Sequence, residues 1–321
     1  MTKLRRVSLN TRWLRWAGTL ISSALFIWLL VQQDWGMVWL SLSQTPVWLF
    51  PLAYVLYFGA ILANALRWYV LLRSQDTNIP YSEVLKIVLS GNFASNFLPS
   101  TVGGDTVRLV TTSRFVGWTL GLTSIVVDRL INVFAMVALL PFSWITFQAV
   151  GWLAWIEMPA LVQKWSYAAV GGLFGWGERL RKKIRQLVWK LKVAFNLWRN
   201  RLDVIFLALL ISWGAKLMVF LGVWILARGL GMVVTFPQVI GVGAITYMLS
   251  LLPISINGFG LREVTMTTLY VQLGASWEQA SALVVVTRFI LMSETLPGAV
   301  WISGMLSAAE KSPAPAPGAP F

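Results

Sequence analysis

Long apolar runs alternate along this chain with short joints rich in cations and aromatic residues. The runs from Trp16 to Val31, Pro46 to Leu72, Trp118 to Phe147, Ala160 to Gly177, Asp203 to Ala227 and Ala280 to Ser307 approach or exceed the roughly 20 residues that a helix needs to cross a bilayer. Two further apolar segments are shorter: Val84 to Leu98, opened by Pro80, and Pro237 to Leu252. Each runs into a polar, glycine-rich break. The first is Leu98-Pro99-Ser100-Thr101-Val102-Gly103-Gly104-Asp105-Thr106-Val107-Arg108, and the second is Leu252-Pro253-Ile254-Ser255-Ile256-Asn257-Gly258-Phe259-Gly260-Leu261-Arg262-Glu263. Broken backbone at membrane depth is tolerated only where protein or a water-filled cavity surrounds it. The pattern predicts an all-α polytopic membrane protein with two re-entrant, broken-helix hairpins.

The breaks share a register. Proline and arginine are nine residues apart in both, as Pro99/Arg108 and Pro253/Arg262, and glycine stands five after each proline, as Gly104 and Gly258. Downstream, Val126-Val127-Asp128-Arg129-Leu130-Ile131 resembles Val285-Val286-Thr287-Arg288-Phe289-Ile290. Residues 46–147 and 203–307 therefore read as two copies of span, re-entrant element, span. The expected organisation is a basic tail over 1–15, one transmembrane domain over 16–307 and a disordered Pro/Ala-rich tail over 308–321. The run after the basic tail lacks the small-residue cleavage site of a secretory signal and reads as a first span.

Composition strengthens the membrane reading: 57% of the 321 residues are hydrophobic and 12% charged, against roughly 25% charged in soluble domains. The net charge of +14 raises nucleic-acid binding as a question, and the placement of the cations answers it. Five lie in the N-terminal tail (Lys3, Arg5, Arg6, Arg12, Arg15) and nine lie between Glu178 and Asp203. Cationic clusters flanking apolar spans mark the cytoplasmic side. The second cluster keeps Ile184, Leu187, Val188, Leu191 and Phe195 near helical period, as an amphipathic helix on that surface does. Counting spans from a cytoplasmic N-terminus puts both clusters and the C-terminus inside. The first hairpin then opens from the cytoplasm and the second from outside, so the two copies are inverted. The expected location is the cell inner (plasma) membrane, with nucleic acid no partner.

With no Cys and no His, thiol chemistry, imidazole ligation and a histidine base are excluded. No nucleotide-binding loop is present, and no cofactor or metal is expected. Glycine allows close backbone approach to a ligand, and a helix beginning at the break directs N–H groups toward an anion. The candidate binding set is Pro99, Ser100, Gly103, Gly104, Asp105 and Arg108 in the first break and Asn257, Gly258, Gly260, Arg262 and Glu263 in the second. Asp128, Arg129 and Arg288 join it from the following spans, where ionisable groups suggest function. Asp105 and Glu263 are expected to orient Arg108 and Arg262 or to carry a proton. Arg67 and Lys216 read equally as interior groups and as structural cations; Arg67 can also snorkel.

The segments from Asn92 to Arg108 and from Pro253 to Glu263, with Asp128-Arg129, resemble the lysylphosphatidylglycerol synthase transmembrane-region family. The resemblance implies a polytopic protein that moves lipids or lipid-linked molecules between leaflets, with membrane lipids as partners. Two-domain members carry a soluble aminoacyl transferase, which does not follow the membrane part here, so lysine transfer is not implied. Two other readings stand beside a non-enzymatic flippase. One is a membrane enzyme acting on a polyprenyl diphosphate, with Glu83, Asp105 and Glu263 in place of histidine. The other is a non-catalytic partner of a glycosyltransferase or other lipid-synthesis enzyme, or a homo-oligomer.

Overall fold

A computed structural model describes residues 35–97, 103–150, 201–251 and 260–302. The expected first span, the span 160–177, nearly all of the basic segment 178–201 and both tails lie outside the described residues. So do Pro99, Ser100, Asn257 and Gly258.

The described residues form helices and no strand: α1 (Trp35–Gln44), α2 (Leu49–Arg73), α3 (Tyr81–Phe97), α4 (Gly103–Val137), α5 (Pro141–Val150), α6 (Leu202–Gly229), α7 (Phe236–Ser250), α8 (Leu261–Gln272) and α9 (Trp277–Ser293). Among the described residues, four stretches are long and apolar enough to cross a membrane: Leu49–Arg73, Gly103–Thr146, Leu202–Gly229 and Trp277–Ile302. The protein is an integral membrane protein, and its described residues are helical. Large apolar side chains such as Val55, Phe134, Phe206, Phe289 and Val300 point outward, as a lipid solvent allows.

Helices α2 and α6 pack against each other through small residues. A methyl group on Gly222 would meet the Tyr57 ring at 2.9 Å, and one on Gly59 would meet Met218 Sδ at 3.3 Å. Together with α7, α8 and α9 they enclose the largest core cluster. The chain then follows the same order twice. A short helix (α3 or α7) is followed by the undescribed break. A second helix follows, then a glycine of positive φ (Gly117 at 78°, Gly274 at 94°), then a longer helix. At Gly117 the φ/ψ of 78°/165° divides α4 into arms 103–116 and 118–137, which sequence alone read as the start of a new span at Trp118.

The two halves also dock reciprocally. Helix α5 from the first half lies on α7 of the second, where Ser143 Oγ donates to Gly241 O at 3.4 Å and Thr146 Oγ1 to Gln238 O at 3.3 Å. The helical turn 298–302 from the second half lies on α3 of the first, where Ser90 Oγ donates to Gly298 O at 3.1 Å. Gly241 and Gly298 sit where a methyl group would strike the facing backbone, Phe142 and Leu89 respectively.

Candidate functional site

The first break leads into α4 at Gly103. Gly104 has its side-chain direction filled by α3: a methyl group there would collide with Ser95 Oγ and the Gly91 carbonyl. Helix packing by itself therefore calls for glycine at 104, whose Cβ side is filled by α3. Packing α3 against α4 this closely brings Arg108 inward, with its side chain 13% exposed.

Arg108 does not pair with Asp105. Its Nη2 lies 3.2 Å from Asp128 Oδ2, its guanidinium stacks 4.1 Å from the Trp68 ring centroid, and its Nε has no hydrogen-bond partner. Cation–π stacking of this kind strengthens when desolvated. Asp128, 3% exposed, also accepts from Arg67 Nε at 2.8 Å. Arg67 donates onward through Nη1 to Ser212 Oγ at 2.9 Å and to Asn132 Oδ1 at 3.4 Å. Lys216 Nζ donates to the same Asn132 oxygen at 2.9 Å and lies 5.1 Å from the Tyr247 ring centroid. Asn132 Nδ2 donates to Tyr247 Oη at 2.8 Å. One buried network thus joins α2, α4, α6 and α7, and among the described residues it sets three cations against a single carboxylate.

Asp105 instead meets Arg129, whose side chain is 61% exposed. Charge 128 points inward and charge 129 outward because neighbouring helix positions are about 100° apart. In the second half Gly260 takes φ 77° immediately before α8, where glycine avoids the penalty of a Cβ. Glu263 Oε2 accepts the Gly260 N–H at 2.7 Å, a capping role at the third helical position. Its Oε1 lies 3.3 Å from Arg288 Nη1. Asp105 and Glu263 therefore hold Arg129 and Arg288, not the two break arginines expected from sequence.

Arg262 has no carboxylate partner among the described residues. It borders a cavity of about 110 Å³ between α4, α6, α7 and α8, lined also by Thr246, Tyr247, Ser250 and Tyr270, with Met136, Phe220 and Met266. Thr246 Oγ1, in a residue 3% exposed, has no hydrogen-bond partner. Tyr247 belongs both to this cavity and to the Lys216–Asn132 network, so the two cationic features adjoin. Elsewhere, Glu294 is 1% exposed with Oε1 unpartnered. Its neighbour Thr295 accepts from Asn96 Nδ2 at 3.3 Å.

The candidate set omitted Trp68, Asn132, Ser212 and Tyr247. Two of these had a readable signal: Asn132 lies four residues after Asp128 and Ser212 four before Lys216, spacings that align polar groups on one helix face. Trp68 and Tyr247 carried none that separates them from interface aromatics.

The family model described as the lysylphosphatidylglycerol synthase TM region matches residues 15–298. The chain belongs to that family. The UPF0104 membrane protein PH1989 of Pyrococcus horikoshii is 22% identical over 275 residues, covering 74% of this chain and 81% of that protein. The match to the lysylphosphatidylglycerol synthase TM region spans both glycine-rich breaks and every described residue of the buried network.

Proposed function

We propose that this member of the family moves an anionic lipid, or an anionic lipid-linked molecule, between the leaflets of the plasma membrane. The observation that carries the reading is the buried cationic network of Arg67, Arg108 and Lys216 around Asp128, adjoining a cavity that presents Arg262. Charge at membrane depth is costly and concentrates at substrate pathways. An excess of cations beside a cavity suits a negative head group that must leave water to cross.

The repeated helix order and the reciprocal docking of α5 on α7 and of 298–302 on α3 support an inverted repeat. Helix α7, at 15 residues, is shorter than a span, which favours a re-entrant hairpin in the second half, and the shared register of the two breaks extends that reading to the first. Substrate sites at the interface of such repeats, near the midplane, belong to secondary transporters. The orientation we infer places both termini in the cytoplasm. Among the carboxylates that an enzyme would need, Glu83 is held by Lys86 at 2.7 Å, Asp105 by Arg129 and Glu263 by Arg288.

The test is movement of a fluorescent anionic lipid by purified protein in liposomes. Transport by the wild type and its loss in Arg108→Ala support the reading. No movement above protein-free liposomes for any anionic lipid rejects it.

A further inference from the structure

The charge balance of the same site narrows the head group, an inference that rests on the transport reading above. Arg67, Arg108 and Lys216 contribute three positive charges and Asp128 one negative charge, which leaves two uncompensated within one hydrogen-bonded network. Asp128 has both oxygens committed, Oδ1 to Arg67 and Oδ2 to Arg108. No carboxylate lines the adjoining cavity, whose charged group is Arg262 and whose Thr246 hydroxyl is uncommitted. Buried charge is tolerated when paired, so the excess of cations among the described residues of the network favours an anion of more than one charge. The cavity, at about 110 Å³, holds roughly three to four water volumes at ~30 Å³ each. That is room for a phosphate group. Guanidinium groups bind phosphate oxygens through paired N–H donors.

We propose that the site selects a lipid ending in a dianionic phosphate, a phosphomonoester or terminal diphosphate, over a phosphodiester lipid. A phosphomonoester carries a charge of about −1.5 to −2 at neutral pH, against about −1 for a diester. Tyr247, shared by cavity and network, places Lys216 and Asn132 beside the cavity wall.

The experiment places short-chain fluorescent phosphatidic acid or phosphatidylglycerol at equal mole fraction in otherwise neutral liposomes containing the full chain, at pH 7.5. The expected result is phosphatidic acid moving about tenfold faster or more, the scale of one added charge-assisted contact. Lys216→Gln should bring the ratio of the two rates toward parity, and Lys216→Arg should keep it. Size-exclusion profiles of both variants separate this from misfolding. If both lipids move at equal rates in the wild type, the dianion selection is overturned while the transport reading survives. If neither moves above empty liposomes, both fall.

Discussion

Asp128 and Arg129 are neighbours in sequence with opposite situations. Asp128 is buried between Arg67 and Arg108, whereas the Arg129 side chain is 61% exposed beside Asp105. Removing one partner of a buried ion pair costs ~3–5 kcal/mol because the remaining charge stays desolvated, while an exposed pair contributes ~0–1 kcal/mol. Asp128→Asn is therefore expected to lower the thermal unfolding midpoint in detergent sharply, and Arg129→Gln to leave it nearly unchanged. Equal midpoints for the two variants would contradict the buried network. Several of these residues were legible from the sequence: Arg108, Asp128 and Arg262 stood out as charges in apolar surroundings. Which carboxylate holds which arginine was not, since it depends on the bend at Gly117 turning Asp128 back toward Arg108 and Arg67.

At the level of helices, glycine positions decide how near the elements come. Gly104 faces the Gly91 carbonyl and Ser95 of α3, so Gly104→Ala forces α3 and α4 apart. Overpacking of this kind costs ~1–3 kcal/mol, and circular-dichroism melting of the purified variant should show it. Gly121→Ala, where a methyl group would lie at ordinary contact distance of 3.4 Å from Leu109, should melt close to wild type. Helix α2, helix α6 and the short α7 were readable from hydrophobic runs, because a helix that faces lipid is apolar on most sides. The start of a span at Trp118 was readable, whereas the sharp turn at Gly117 that joins it to 103–116 rests on a positive φ that the sequence does not show.

For the whole molecule, the proposed inverted arrangement predicts which side each turn occupies. Thr119 follows the Gly117 turn and Ser276 the Gly274 turn, and both are exposed. The chain contains no cysteine, so Thr119→Cys and Ser276→Cys each introduce a single label site. In intact cells a membrane-impermeant maleimide should label Ser276→Cys, and should reach Thr119→Cys only after permeabilisation. Labelling of both from outside would exclude the inversion. The expectation of a repeat rests on proline, glycine and arginine in shared register, whereas the docking of α5 on α7 and of 298–302 on α3 needs three dimensions. In the proposed function, Arg108 and Arg262, from the two halves, act on one anionic head group. This is tested most directly by rates of fluorescent phosphatidic acid movement in liposomes for wild type, Arg108→Ala, Arg262→Ala and the double variant. Groups on one path couple, so their effects do not add. Each single variant should lose about tenfold or more, and the double should be little worse than either. Wild-type movement in the double variant would contradict it.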